Sequence, residues 1–161
     1  MNRICGGCTL CCRLLPVPEI GKAANQRCEH QRATGCKIYR TDRFPHSCHL
    51  WSCRWLVDPD TAKLRRPDRS GYVIDFALEP IWINDNDTGE RVEEPAVTIW
   101  CDPNRRDAWK DPALLELIDS KSRLMLVRYN ASEGFVVIPP SRNHTGEWVA
   151  MPSVLHPDLV V

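Results

Sequence analysis

Cys5-Gly6-Gly7-Cys8-Thr9-Leu10-Cys11-Cys12 places four thiols within eight residues. Outward from it, the same half of the chain adds Cys28-x7-Cys36 and Cys48-x4-Cys53, so eight of the nine cysteines lie within residues 5–53. Free cysteine is often a small buried hydrophobe, but that role does not explain eight of them at these spacings. On a helical path, steps of 100° put Cys5, Cys8, Cys11 and Cys12 at about 0°, −60°, −120° and −20°, a single wall of sulfur. Gly6-Gly7 works against a regular helix there, while giving the backbone room to wrap an ion and aim N–H groups at sulfur. Four plus four thiols suggest two tetrahedral four-thiolate sites or one multinuclear site, since zinc and iron–sulfur clusters both take such ligands. The adjacent Cys11 and Cys12 suit neighbouring ions, or a bridging role, better than one ion.

The cysteines also bear on compartment. A secreted chain would use them in disulfides, but the count is odd, most crowd into one third of the chain, and the cysteines of Met1 to Leu15 interrupt the apolar core that a signal peptide needs. A cytoplasmic, reducing location is expected. No apolar run approaches the roughly 20 residues that cross a bilayer, and 43% hydrophobic with 26% charged residues is the balance of a globular chain.

Zero net charge hides an asymmetry. Residues 1–66 carry 12 Lys+Arg against 5 Asp+Glu, a balance of +7, and residues 67–161 carry 9 against 16, a balance of −7. A basic half raises the question of nucleic acid. Two ions each held by four thiolates would contribute −2 apiece and bring the basic half to about +3, which makes nucleic acid a poor expectation. An adaptor docking through Arg3, Arg13, Lys22, Arg27 and Arg32 is the corresponding alternative.

Cys5-x2-Cys8-x2-Cys11-Cys12, followed by Gly35-Cys36-Lys37-Ile38-Tyr39, Arg43 with Pro45, Cys48 and Cys53, resembles the bacterial CxxCxxCC cysteine-cluster family of zinc- or iron-chelating proteins. The likeness covers residues 5–56. It departs at Arg43-Phe44-Pro45, where the family has adjacent Arg-Pro. The resemblance implies metal chelation without a settled reaction. A related cysteine cluster in flagellin lysine methylase-like proteins keeps an enzymatic alternative open.

Beyond a junction at Val57 to Ser70, rich in Pro and charge, strand patterns take over. Tyr72, Ile74, Phe76 and Leu78 alternate with more polar neighbours, predicting a half-buried strand over 71–79 that Ile81-Trp82-Ile83 extends past Pro80. Asn84 to Gly89 is turn chemistry; its faint likeness to a calcium loop lacks the ligand spacing and terminal glutamate. Ala96 to Trp100 is a further strand, and Asp111 before Pro112 caps a helix through Leu114, Leu115, Leu117 and Ile118. Leu124–Tyr129 and Phe135–Ile138 flank a hairpin turn, and Trp148–Met151 adds a strand.

The expected architecture is α+β: a cysteine-rich metal-binding module of short helices and loops over residues 1–66, packed on a mainly antiparallel sheet with one or two helices over 67–161. The expected ligands are Cys5, Cys8, Cys11, Cys12, Cys28, Cys36, Cys48 and Cys53, holding two zinc ions, with iron or an iron–sulfur cluster as the alternative. His30, His46 and His49 lie beside cysteines but are expected at the surface or behind the ligands. Cys101 is expected as a buried strand-end residue, and Trp51 and Trp55 on one helical face shielding the metal. No phosphate loop, nucleophile elbow or H-E-x-x-H helix is present, so no catalytic role is assigned. An iron–sulfur redox protein or enzyme is the rival from another class, because ferredoxins share the C-x2-C-x2-C spacing.

Overall fold

A computed structural model describes residues 3–84 and 91–152. The turn expected after Asn84, with the calcium-loop likeness weighed there, falls outside them from Asp85 onward.

Glycine, proline and cysteine keep the elements of the first seventy residues short. They are α1 (Cys11–Leu14), a two-residue hairpin of β1 (Gln31–Arg32) and β2 (Gly35–Cys36), α2 (His46–Leu50), α3 (Arg54–Val57) and α4 (Pro67–Ser70). Single turns of 3-10 helix at Pro18–Ile20 and Pro59–Lys63 join them. Proline opens both turns and α4, where its missing N–H is an unsatisfied donor in any case.

Longer apolar alternation then builds one five-stranded sheet in the order β3-β4-β5-β6-β7. β3 (Tyr72–Asn84) pairs antiparallel with β4 (Arg91–Cys101), β5 (Leu124–Arg128) lies parallel to β4, and β6 (Gly134–Ile138) and β7 (Val149–Pro152) continue antiparallel. The molecule is therefore α+β with a mainly antiparallel sheet. The parallel step needs a crossover, supplied by the 3-10 segment Pro103–Lys110 and α5 (Pro112–Ser120). Asp111 caps α5 as its sequence predicts, accepting from the Ala113 N–H at 3.1 Å.

β3 runs unbroken through Pro80, which stands opposite Pro95 of β4. β5 pairs with β4 only from Ala96 onward, so at that level neither proline is flanked by a second strand and no further ladder is lost. The β3–β4 register shifts between Ile74 and Leu78. There the cysteine-rich region attaches: Cys53 bridges Asp75, and the Arg54 guanidinium donates to the carbonyls of Asp75 at 3.1 Å and Phe76 at 2.5 Å.

The sheet has two covered faces. On one, Ile74, Val97, Ile99, Cys101, Met125 and Val127 pack with Leu114 and Ile118 of α5. On the other, Val73 and Trp100 pack against Leu10, Leu14 and Cys53. Arg128, on that second face and 3% exposed, pairs with Glu79, which also accepts from the Thr98 hydroxyl at 2.8 Å. Its guanidinium lies 5.5 Å from the Trp100 ring.

Candidate metal centre

α1 carries two consecutive cysteines. Neighbours on a helix point about 100° apart, yet the Cys11 and Cys12 thiols stay close enough to hydrogen-bond each other. Cys5, Cys8, Cys11 and Cys53 line a common cavity of about 20 Å³, walled by Trp55, Leu56, Pro67 and Val73. That is the room of about one water-sized sphere. Cys12 lies between this group and the rest: its thiol hydrogen-bonds Cys11 and acts on Cys5, and it also lies within electrostatic range of Cys48, as do Cys28 and Cys36, while the Cys28 N–H donates to the Cys12 carbonyl at 3.2 Å. All nine cysteines are free. Among the described residues, no group of three or more His, Cys, Asp or Glu side chains is arranged to hold an ion as it stands. The thiols form neighbourhoods, not closed coordination shells.

Local structure explains each placement and corrects one expectation. The helical wall of sulfur does not form, because Gly6 turns the chain with φ +53° and the Cys8 N–H donates back to the Cys5 carbonyl at 2.8 Å; helix begins only at Cys11. Cys36 is set by the β1–β2 hairpin, whose Gln31 side chain donates to the Thr9 hydroxyl at 2.6 Å and so ties the hairpin to the first motif. Glu19 accepts from both the N–H and the hydroxyl of Ser47, each at 2.8 Å, anchoring the helix that carries Cys48. Cys53 is fixed by its bridge to β3.

Burial and mutual repulsion govern the thiols. Desolvation raises Cys53 to about 11 against two stabilising backbone N–H groups, and it raises Cys48 to about 11 with repulsion from Cys12, Cys28 and Glu19 added. Cys5, at the rim of the cavity, is also raised, first by desolvation and then by Cys8 and Cys12. Cys11 and Cys12 diverge. The hydrogen bond between them raises Cys11 well above the ordinary thiol range and lowers Cys12 to about 7, burial opposing and Lys22 assisting the latter. In the metal-free chain most of these protons must leave before an ion can bind.

Lys22 is the residue that sequence reasoning misplaced. Expected among surface docking cations, it is 6% exposed, and its ammonium donates to the carbonyls of Arg13 and Ala23, each at 3.2 Å, and of Leu15. Two other cations of that set are also engaged internally. Arg3 donates to the Thr61 hydroxyl at 2.7 Å and carbonyl at 2.9 Å, and Arg13 pairs with Asp102. Arg27 and Arg32 are exposed.

The remaining candidates are quickly placed. His46 and His49 are exposed, and half-buried His30 lies 3.5 Å from Glu29. Cys101 ends β4 inside the α5-facing core, where burial raises its thiol to about 12. Trp55 borders the cavity as a shield would, but Trp51 does not share its helical face, since α2 stops at Leu50 and α3 starts at Arg54. No helix of the described residues is long and apolar enough to cross a membrane.

Against known proteins, the chain matches no protein-family model, no curated protein and no solved structure.

Proposed function

We propose that this protein binds two metal ions, one in the tetrad Cys5, Cys8, Cys11 and Cys53 and one in the tetrad Cys12, Cys28, Cys36 and Cys48, with zinc the preferred ion. The observation that supports the assignment is the gathering of Cys5, Cys8, Cys11 and Cys53 around one small cavity, with Cys12, Cys28 and Cys36 within electrostatic range of Cys48. The donor set fits the group: thiolate is the soft ligand that zinc accepts in closed tetrahedral sites at about 2.3 Å. The small first cavity suits a single ion better than a four-iron cluster. When bound, the ions supply cross-links between segments too poor in apolar residues to hold one another.

The role that follows is structural, or the sequestration and delivery of the ion. Arg3, Arg13 and Lys22, three of the five cations of the adaptor alternative, are engaged within the fold, which weakens that alternative. Nine free thiols call for a reducing compartment.

Protein purified without oxygen, from cells supplied with both zinc and iron, tests the proposal by elemental and acid-labile sulfide analysis. Two zinc ions per chain and a colourless solution are expected. Brown protein containing iron and sulfide in cluster proportion would replace zinc with an iron–sulfur centre and promote the redox function. Protein free of metal under these conditions would remove the assignment altogether.

A further inference from the structure

A second cleft contains no cysteine and lies where the crossover between β4 and β5 passes the end of α4. It is open, has a volume of about 470 Å³, and its wall is polar, with Ala108 the only apolar side chain in it among the described residues. Arg65, Arg105, Arg106 and Lys110 line it with Asp107 and Asp111, four cations against two carboxylates, a balance of +2. Most of these residues come from the half of the chain whose sequence balance is −7. A positive cleft there runs against its own surroundings.

Local structure fixes one of the four cations in place. Gly71 ends α4 with φ +86°, its N–H donating to the Pro67 carbonyl at 2.8 Å. The 3-10 segment Pro103–Lys110 kinks at Arg105, and the Arg105 guanidinium lies on the bare Cα of Gly71, where a Cβ would stand 2.8 Å from the guanidinium carbon. From that position it donates to the Arg69 carbonyl at 2.9 Å. The other three cations have carboxylate partners: Arg65 with Asp111 at 3.3 Å, Lys110 with Asp107 at 2.8 Å, and Arg106 with Glu133. Arg105 has none among the described residues, so most of its donors remain for a ligand.

Ser70 adds a neutral donor to the same wall. It is 2% exposed, and its hydroxyl reaches the carbonyls of Pro67 and Tyr72 only at 3.4 and 3.5 Å, longer than an ordinary O–H···O bond. A buried hydroxyl so weakly used gains from an acceptor oxygen placed in the cleft.

We propose that this cleft binds a small phosphate monoester carrying hydroxyl groups, a sugar phosphate in chemical class, with Arg105 as the anchor of the phosphate. A guanidinium fork matches two phosphate oxygens at once, and a monoester charge of about −1.5 to −2 near neutral pH answers the positive balance of the wall. Small-molecule sites span about 300 to 1,000 Å³, so there is room beyond the phosphate, and Asn104, Asp107 and Asp111 offer partners to the hydroxyls of a sugar. No aromatic ring lines the cleft among the described residues, which leaves a nucleobase nothing to stack on. The site is independent of the metal ions proposed above.

Calorimetric titration of the full-length protein with glucose 6-phosphate, inorganic phosphate and glucose tests the inference, with amide NMR shifts locating the ligand. Glucose 6-phosphate should bind more tightly than inorganic phosphate, glucose should not bind, and the shifts should fall at residues 65–71 and 104–111. Arg105→Met should weaken glucose 6-phosphate by about tenfold or more, the scale of a lost hydrogen bond between charged groups. Arg105→Lys, which keeps the charge but not the fork, should recover only part. Circular dichroism of the sheet confirms that each variant is folded, and the wild-type shift map carries the test should Arg105→Met not fold. No binding at millimolar glucose 6-phosphate, shifts confined to other residues, or equal affinity of the wild type and Arg105→Met would overturn the inference. Tighter binding of a phosphoserine peptide than of glucose 6-phosphate would also overturn it, in favour of a phosphorylated protein partner.

Discussion

The sheet of residues 72–152 and the loops of residues 3–57 are covalently continuous, yet different forces hold them. In the sheet, buried Val, Ile and Met side chains face α5 on one side, and hydrogen-bonded ladders satisfy the backbone. In the cysteine region the helices are four or five residues long, below the length at which a helix persists alone, and the apolar contribution is mainly Leu10 and Leu14 against Val73 and Trp100. The difference marks where the proposed ions would add most to stability. One half brings its own core, and the other has a smaller apolar cluster beside its thiols.

The largest break in this comparison should come from removing metal. Structural zinc contributes roughly 10 to 16 kcal/mol per site in zinc-finger peptides, so chelation should strip amide protection from residues 3–57 while β4, β5 and β6 keep theirs. The Cys53–Asp75 bridge places the boundary inside β3, and protection near Asp75 should fall with the loops. Hydrogen exchange with and without chelator measures this, and uniform loss across the sheet would show that the two halves fold as one unit.

Single ligands sharpen the same contrast. Cys8→Ser should reduce bound metal from two ions to one, and so should Cys36→Ser, because an incomplete tetrad leaves an open position. The double variant should hold none, since the two residues fall in different proposed centres. A double variant that keeps one ion would disprove the division of the thiols.

Within the sheet, the sensitive point is polar. Arg128 is 3% exposed and paired with Glu79. Glu79→Ala should lower stability by about 3 to 5 kcal/mol, the penalty for leaving a buried charge alone, with no change in metal content. Loss of metal in this variant would mean that the second face of the sheet couples tightly to the thiol region.

These contrasts also mark what the sequence made legible. The strands over Tyr72–Asn84, Leu124–Arg128 and Gly134–Ile138 and the cap at Asp111 could be read because their signals are local: alternation, and a side chain bonding two residues onward. The eight thiols were legible as candidates by clustering alone. Their placement in space was not, because it depends on Gly6 adopting positive φ and on α1 starting as late as Cys11. Lys22 was read as a surface cation because lysine seldom lies inside. The turn that buries it is visible in the sequence only as Pro18 and Gly21, with nothing to say which way the next side chain points. The break in β3 at Asp75 gave no signal either, since its cause is a partner more than twenty residues away.

Proton competition separates the halves by pH. Burial holds Cys48 and Cys53 at about 11, so in the metal-free chain both are protonated at neutral pH, while the hydrogen bond with Cys11 lowers Cys12 to about 7. Each proton that must leave on binding opposes the ion more as pH falls, by a factor of about ten per proton per unit. Zinc affinity measured by competition at pH 6, 7 and 8 should therefore rise by more than tenfold per unit, with protons released on binding. A flat profile would mean that the thiols are already ionised and that their burial has been misread.

The smallest effect should be at the ninth cysteine. Cys101 ends β4 against the α5-facing core and is 1% exposed, on the opposite face of the strand from Trp100, which packs toward the thiol region. Serine there exchanges a weakly polar sulfur for a hydroxyl in an apolar setting, which costs about 1 to 3 kcal/mol when the hydroxyl finds no full partner. An N–H in the crossover at Trp109 already bonds this sulfur and is available to the hydroxyl, placing the expected loss near the lower end. Both ions should remain, because no cysteine of either tetrad shares that core. Thermal unfolding and metal content of Cys101→Ser, measured on the same sample, give the two answers separately. A small drop in midpoint with two ions retained fits a packing residue, whereas loss of an ion would bring Cys101 into the metal chemistry and undo the assignment of ligands to the loops alone.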